Sequence, residues 1–320
     1  MAVDVSCHIL QSGQRQSIAF KDVSEAIEAQ VGLVWLELND PDQPTLTLLQ
    51  EELNLHELAI EDALTAHQRP KVEDYSGGLF VVLRTARLWD NAIEYGETHV
   101  FCGTGYLAII RHGIGPGYRQ VQDRLQAYNR PLSPGLALYA LLDYVVDELR
   151  PLAARLEERY GELEAALFSG GISSDNLQRL FETKREIQSL MSAVQPMPEI
   201  CGDLIRLHHN IVDKELRAYY RDVEDHALRL INTLDRLREM IADAMQLSMT
   251  TAAMQQSESV QKLAGWGAIL AIPTLVFSLY GMNFKTMPEL EWTWGYPFTL
   301  FITGAGCYWL YRHLKQRGWI

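Results

Sequence analysis

The sequence predicts an α+β membrane protein: an N-terminal α/β cytoplasmic domain, a long helical stalk and two transmembrane helices per subunit. Three observations predict it. Up to about residue 115, β-like runs ("GLVWLELN", "LFVVLRTARL", "HVFC", "YLAIIR") are mixed with short segments of helical period. From residue 212 to 280 good helix formers continue with no glycine before Gly265 and no proline before Pro273. Charged side chains are absent from 263–280 and from 292–311, each about the length a bilayer demands. A mean hydropathy of -0.09 hides this split.

Taken in order, residues 1–130 form the α/β domain, in which "PTLTLLQEELNLHELAIEDALT" carries apolar residues at three- and four-residue spacing. "YNRPLSPG" is a proline-rich break. Residues 131–211 then read as cytoplasmic antiparallel helices, 136–168 and 177–194, joined at "FSGGISSD" and ended by "QPMPE". The stalk helix occupies 212–262 and runs on into a first span, 263–283. At 1.5 Å per residue a helix of nearly seventy residues makes a rod on the order of 100 Å long. A loop at 284–291 leads to a second span, 292–311, with aromatic residues at both ends as expected at headgroup level, and 312–320 is a basic tail.

Charge decides orientation and excludes some partners. Lys262 precedes the first span and Arg312, Lys315 and Arg317 follow the second, whereas the loop sets only Lys285 against Glu289 and Glu291. The positive-inside tendency therefore places both termini in the cytoplasm and the loop outside, giving a multi-pass protein of the inner (plasma) membrane in contact with its lipids. The first twenty residues lack a basic stretch followed by an apolar one, so no signal peptide is expected. A formal charge of -13 argues against nucleic acid and makes divalent cations the natural partners. Cys7, Cys102, Cys201 and Cys307 are too scattered for a disulfide framework or a zinc finger. His208 and His209 are adjacent and diverge on a helix, His99 and His112 could meet on neighbouring strands, and no catalytic constellation points to an enzyme.

The first span is uneven around its circumference. Val260, Ala264, Gly267, Ala271, Thr274, Ser278 and Gly281 recur at three-four spacing as a small, partly hydroxylic stripe, with Trp266, Ile269, Leu270 and Phe277 off it. Such a stripe suits close helix packing or the lining of a pore. One helix cannot enclose a pore, so the second reading needs a ring of subunits. Pro273 also leaves the carbonyl of Ile269 without its helical donor, which is tolerable where that carbonyl faces a neighbour or water.

"YGMNF", followed by "MPEL" and "WGYP" and a C-terminal "KQRGWI", resembles the CorA family of divalent-cation channels. The resemblance extends to "YYRDVEDH" (219–226) and more loosely to "QRPKVEDY" (68–75), and so covers nearly the whole chain in order. It implies a funnel-shaped homopentamer whose stalk continues into a pore-lining first span inside an outer ring of second spans. Gly281, Met282 and Asn283 would form the selectivity filter, with neutral amide oxygens holding a hydrated ion weakly enough to release it. Thr274 and Ser278 would offer hydroxyls to that hydration shell, Gly267 and Ala271 would line the path, and Val260 with Leu263 would form an apolar constriction. Glu289 and Glu291 would attract cations to the external loop, where Lys285 stands at a position usually acidic in the family. Asp222 matches a position that helps to bind regulatory Mg²⁺ between subunits, and Asp90 lies close to the source of the partner carboxylate. The implied cargo is Mg²⁺, with Co²⁺ and Ni²⁺, under gating by intracellular Mg²⁺. A Zn²⁺ transporter of the same superfamily and a non-conducting membrane-anchored scaffold are the alternatives.

Overall fold

Runs of Val, Ile, Leu and Phe in the first part of the chain make strands because branched and aromatic side chains pack well on a pleated surface. The computed structural model describes residues 4–11, 14–66, 68–75, 78–90, 92–128, 131–170, 174–282, 287 and 292–320. It divides into two units, Met1–Asp243 and Ala244–Ile320.

In the first unit, β1 (Asp4–Gln11), β2 (Gln14–Ser17), β3 (Leu33–Asn39), β4 (Lys71–Tyr75), β5 (Gly78–Trp89), β6 (Ala92–Gly103) and β7 (Tyr106–Gly113) form one sheet. Its order is β2-β1-β3-β7-β6-β5-β4, with β3 and β7 parallel and the other neighbours antiparallel. Both edges are polar. β2 is exposed throughout, and in β4 Lys71 Nζ pairs with Asp62 at 2.6 Å and Glu73 at 2.9 Å. Charged edges of this kind discourage pairing with other chains.

Helices α1 (Val23–Glu28), α2 (Gln43–Leu53) and α3 (Glu57–Leu64) supply Val23, Leu46, Leu49, Ala59 and Ala63 to a core with Leu36, Val82, Phe101 and Ile110 from the strands. α2 starts where Asp42 Oδ1 accepts the Thr45 N–H at 3.0 Å, and it stops at Asn54, which takes a left-handed φ of 51°. α4 (Arg119–Ala127) follows β7; its polar sequence RQVQDRLQA hides a buried face of Val121 and Leu125.

α5 (Pro134–Gly170) and α6 (Ser174–Val194) pack against each other and against β5. Arg159 Nη1 reaches both Glu186 carboxylate oxygens at 2.8 Å across this pair. α7 (Met197–Leu207) begins within "QPMPE", where Pro198 falls in the first turn and needs no N–H bond. α8 (Arg217–Tyr280) begins after Asp213, whose Oδ1 accepts from Glu215 N and Leu216 N at 2.9 and 2.8 Å. The fully buried Tyr220 hydroxyl donates to the Gly135 carbonyl at 2.8 Å. Gly135 has no room for a side chain, since a Cβ there would lie 2.0 Å from the Ile211 carbonyl oxygen.

The second unit holds the rest of α8 and α9 (Gly295–Gln316). Among the described residues α8 is the one helix long and apolar enough to cross a membrane, and its apolar window is almost wholly exposed. α9 has 22 residues, but its glycines, its tyrosines and Trp309 lower its average hydropathy. All four cysteines are free; Cys7, Cys102 and Cys201 are buried and Cys307 is half-buried.

Candidate ion path and cation cluster

The sequence of α8 fixes which of its faces can meet α9. Gly265 is buried there, and a Cβ on it would lie 3.0 Å from Ile320 Cγ1. One turn on, Cys307 Sγ donates to the Ile269 carbonyl at 3.7 Å, the group that Pro273 leaves without a helical donor. Tyr280 and Thr299 hydroxyls meet at 3.1 Å near the end of α8, and the Trp266 and Tyr311 rings pack at 6.2 Å. At 100° per residue, the stripe of Val260, Gly267, Ala271, Thr274 and Ser278 lies roughly 170° round the helix from the Gly265–Ile269 contacts.

That stripe is therefore turned away from α9. Val260 is 60 % exposed and Leu263 75 %, and Gly267, Ala271, Thr274 and Ser278 are exposed as well. Thr274 Oγ1 donates to the Leu270 carbonyl at 2.8 Å, so its hydroxyl keeps its lone pairs for another donor. Beyond Tyr280 the backbone closes with Gly281 N donating to Phe277 O at 2.9 Å and Met282 N to Leu279 O at 3.2 Å. Gly281 and Met282 are exposed. Asn283, Glu289 and Glu291 lie outside the described residues, as does Lys285.

A second arrangement sits in the first unit. Asp143 and Asp147 are one helical turn apart on α5, Asp222 and His226 one turn apart on α8, so each pair shares a helix face. Asp143, Asp147 and His226 each offer one ligand atom, all within 4.8 Å of one another. His226 Nε2 is also 3.7 Å from Asp222 Oδ1, and among the described residues the buried Nδ1 of His226 has no hydrogen-bond partner. Arg124 Nη1 stands 3.6 Å from Asp143 and 3.5 Å from Asp147. Burial pushes the Asp143 carboxyl above its ordinary range and Asp147 adds to this, against Arg124 and His226. Carboxylates and one imidazole on two helices are a donor set that can hold a divalent cation. Asp90 stands at the tip of the β5–β6 hairpin with a left-handed φ of 44° and is not part of this group within the chain.

Residues 30–315 match the family model described as "CorA-like Mg2+ transporter protein". The chain belongs to that CorA-like family. It is 27 % identical over 276 residues to the cobalt/magnesium transport protein CorA of Thermotoga maritima, covering 84 % of this chain and 78 % of that one. It is 26 % identical over 315 residues to the magnesium transport protein CorA of Escherichia coli K12, covering 91 % and 93 %. The structure of the CorA magnesium transporter from Methanocaldococcus jannaschii superposes with a TM-score of 0.82 at 17 % identity over the whole of both chains, which shows a common fold.

In this CorA-family chain, sequence reasoning singled out Asp222 but not Asp143, Asp147 or His226. The signal was present as two i, i+4 pairs of metal-ligating side chains. What it lacked was the packing of α5 against α8 that brings the pairs together. His99 and His112 do meet on β6 and β7, with ring centroids 4.9 Å apart.

Proposed function

We propose that five copies of this chain surround one aqueous path through the inner membrane, lined by α8 from each copy, and that Mg²⁺ crosses it down its electrochemical gradient. The observation that carries this reading is the exposed small and hydroxylic stripe on the side of α8 turned away from α9. Five such faces would enclose a path lined by Gly267, Ala271, Thr274 and Ser278, with α9 in an outer ring and both termini cytoplasmic. Gly281, Met282 and Asn283 would ring the outer mouth, where amide oxygens hold an ion through its water shell. Glu289 and Glu291 would draw cations towards it, and Lys285 would oppose them. Val260 and Leu263 would form an apolar neck that conducts only when wetted. Co²⁺ and Ni²⁺, of similar charge and hydration, would share the route.

Control would come from the cytoplasmic carboxylates. Asp222, with Asp143, Asp147 and His226 beside it and Asp90 supplied from elsewhere in the ring, would bind Mg²⁺ when the internal concentration is high. Filling these sites removes repulsion between like charges and favours the closed ring; emptying them shifts the population to open states. In liposomes reconstituted with the full chain, Asn283→Ala should abolish Mg²⁺ uptake while the oligomer survives. Uptake at the unsubstituted rate would refute the filter. Zn²⁺ uptake in preference to Mg²⁺ would favour the zinc-transporting alternative.

A further inference from the structure

Strand register gathers a row of polar side chains at one end of the sheet. Arg84 of β5 lies opposite Glu97 of β6, which lies opposite His112 of β7. Asn39 pairs with Arg111, so Asp40 arrives beside His112. Partners in register share a face of the sheet, and two residues inward on this face are Val82, His99 and Ile110. The row therefore continues the core outward, into a cavity of about 820 Å³ lined also by Arg69, Ser192 and Glu199. Cavities of roughly 300–1,000 Å³ are the usual size for small organic ligands. Arg69 belongs to the "QRPKVEDY" stretch, for which ion passage gives no role.

The bonds within the row leave it incomplete. His112 Nε2 donates to the Ala63 carbonyl at 2.8 Å. A neutral imidazole has one N–H, so Nδ1 is left as a bare acceptor, and it faces the Asp40 Oδ1 carboxylate oxygen at 3.7 Å. Two acceptors thus confront each other with no proton between them. Burial, then the neighbouring His99, pull the His112 pKa down, although Ala63, Asp40 and Glu97 act the other way. Behind this pair, His99 is fully buried with Nε2 3.4 Å from Glu97 and with no hydrogen-bond partner for Nδ1 among the described residues. The same cavity offers cations. Arg84 Nη1 spends one donor on Ser192 Oγ at 2.7 Å, and Arg69 is exposed in the lining.

His112 Nδ1 lacks a donor, Asp40 keeps lone pairs beyond the one its Oδ1 gives to the Gly113 N–H, and the guanidinium donors have capacity to spare; one molecule carrying both complements matches them. We infer that this cavity binds a small zwitterion of the amino-acid class, its ammonium between Asp40 Oδ1 and His112 Nδ1 and its carboxylate on Arg69. A metal ion suits it less, because the convergent metal-ligating group among the described residues is that of Asp143, Asp147 and His226. A polyphosphate would meet the carboxylates of Asp40, Glu97 and Glu199.

Calorimetric titration of the full chain without divalent ions tests this, with the twenty standard amino acids as probes beside ethylamine, acetate and inorganic phosphate. At least one amino acid should give one saturable site per chain that neither ethylamine nor acetate reproduces. Asp40→Asn and Arg69→Gln should each weaken it about tenfold or more, while Asp222→Asn leaves it unchanged. Asn accepts the left-handed φ of 41° at position 40 and keeps an oxygen for the Gly113 N–H bond at 3.1 Å, so the variant retains the fold. The inference is overturned by the absence of saturable amino-acid binding, by equal binding of phosphate or of either single-function probe, or by affinities unchanged in both variants. Binding is read without transport, so the result is independent of the channel reading.

Discussion

Asp143 shows how one carboxyl couples packing to pH. Its pKa is raised by burial first and by Asp147 second. The folded chain therefore holds this proton more tightly than the unfolded chain does. The stability this contributes is present below the unfolded pKa and is lost as pH rises through the folded one. At neutral pH the ionised carboxylate is a cost that a bound cation would offset. Mg²⁺ protection of the first unit against protease should thus fade on acidification at a higher pH than an ordinary aspartate would give, and Asp143→Asn should remove that step. Tyr220 supplies a second test. Tyr220→Phe leaves the Gly135 carbonyl without its buried donor and should lower unfolding stability by about 1–2 kcal/mol in denaturant titrations. Gly135→Ala forces a methyl against the Ile211 carbonyl and should cost more, about 2–3 kcal/mol.

The two sides of α8 make opposite predictions for substitutions of similar size. Gly267→Leu fills the stripe turned away from α9 and should block cation uptake in liposomes, whereas Leu270→Ala, off that stripe, should leave uptake within about twofold. Equal effects would sink the assignment of faces. The strands of the first unit and the course of α8 were legible because their signals are local: apolar runs of strand length, and a long stretch free of helix breakers. The stripe was legible for the same reason, since helical period alone places its members. α4 was not, because seven of the nine residues in RQVQDRLQA are polar or small and its burial comes from the sheet around it. The relief of the Ile269 carbonyl could be expected from Pro273, but its donor, Cys307, is set by how α9 packs. The cluster of Asp143, Asp147 and His226 likewise needs two helices far apart in sequence to meet.

For the molecule as a whole, exposed apolar surface is the strongest constraint. Leu275 is 70 % exposed, Phe301 73 % and Trp309 67 %, and an apolar surface of that extent is stable only under lipid or neighbouring copies. Light scattering of the detergent-solubilised protein should give five times the 36.4 kDa chain mass after subtraction of detergent. A monomer or dimer would remove the basis for an enclosed path.

The cysteines carry a practical consequence. Burial pushes the Cys7 thiol to about 11 and those of Cys102 and Cys201 to about 12, so at neutral pH these three are shielded and remain as unreactive thiols. Cys307 is half-buried and spans the seam at the Ile269 carbonyl. The unmodified chain therefore carries a single chemical reporter of that seam. Its alkylation rate, followed by mass spectrometry with and without Mg²⁺, would register any parting of the helix pair at its proline without a single engineered residue.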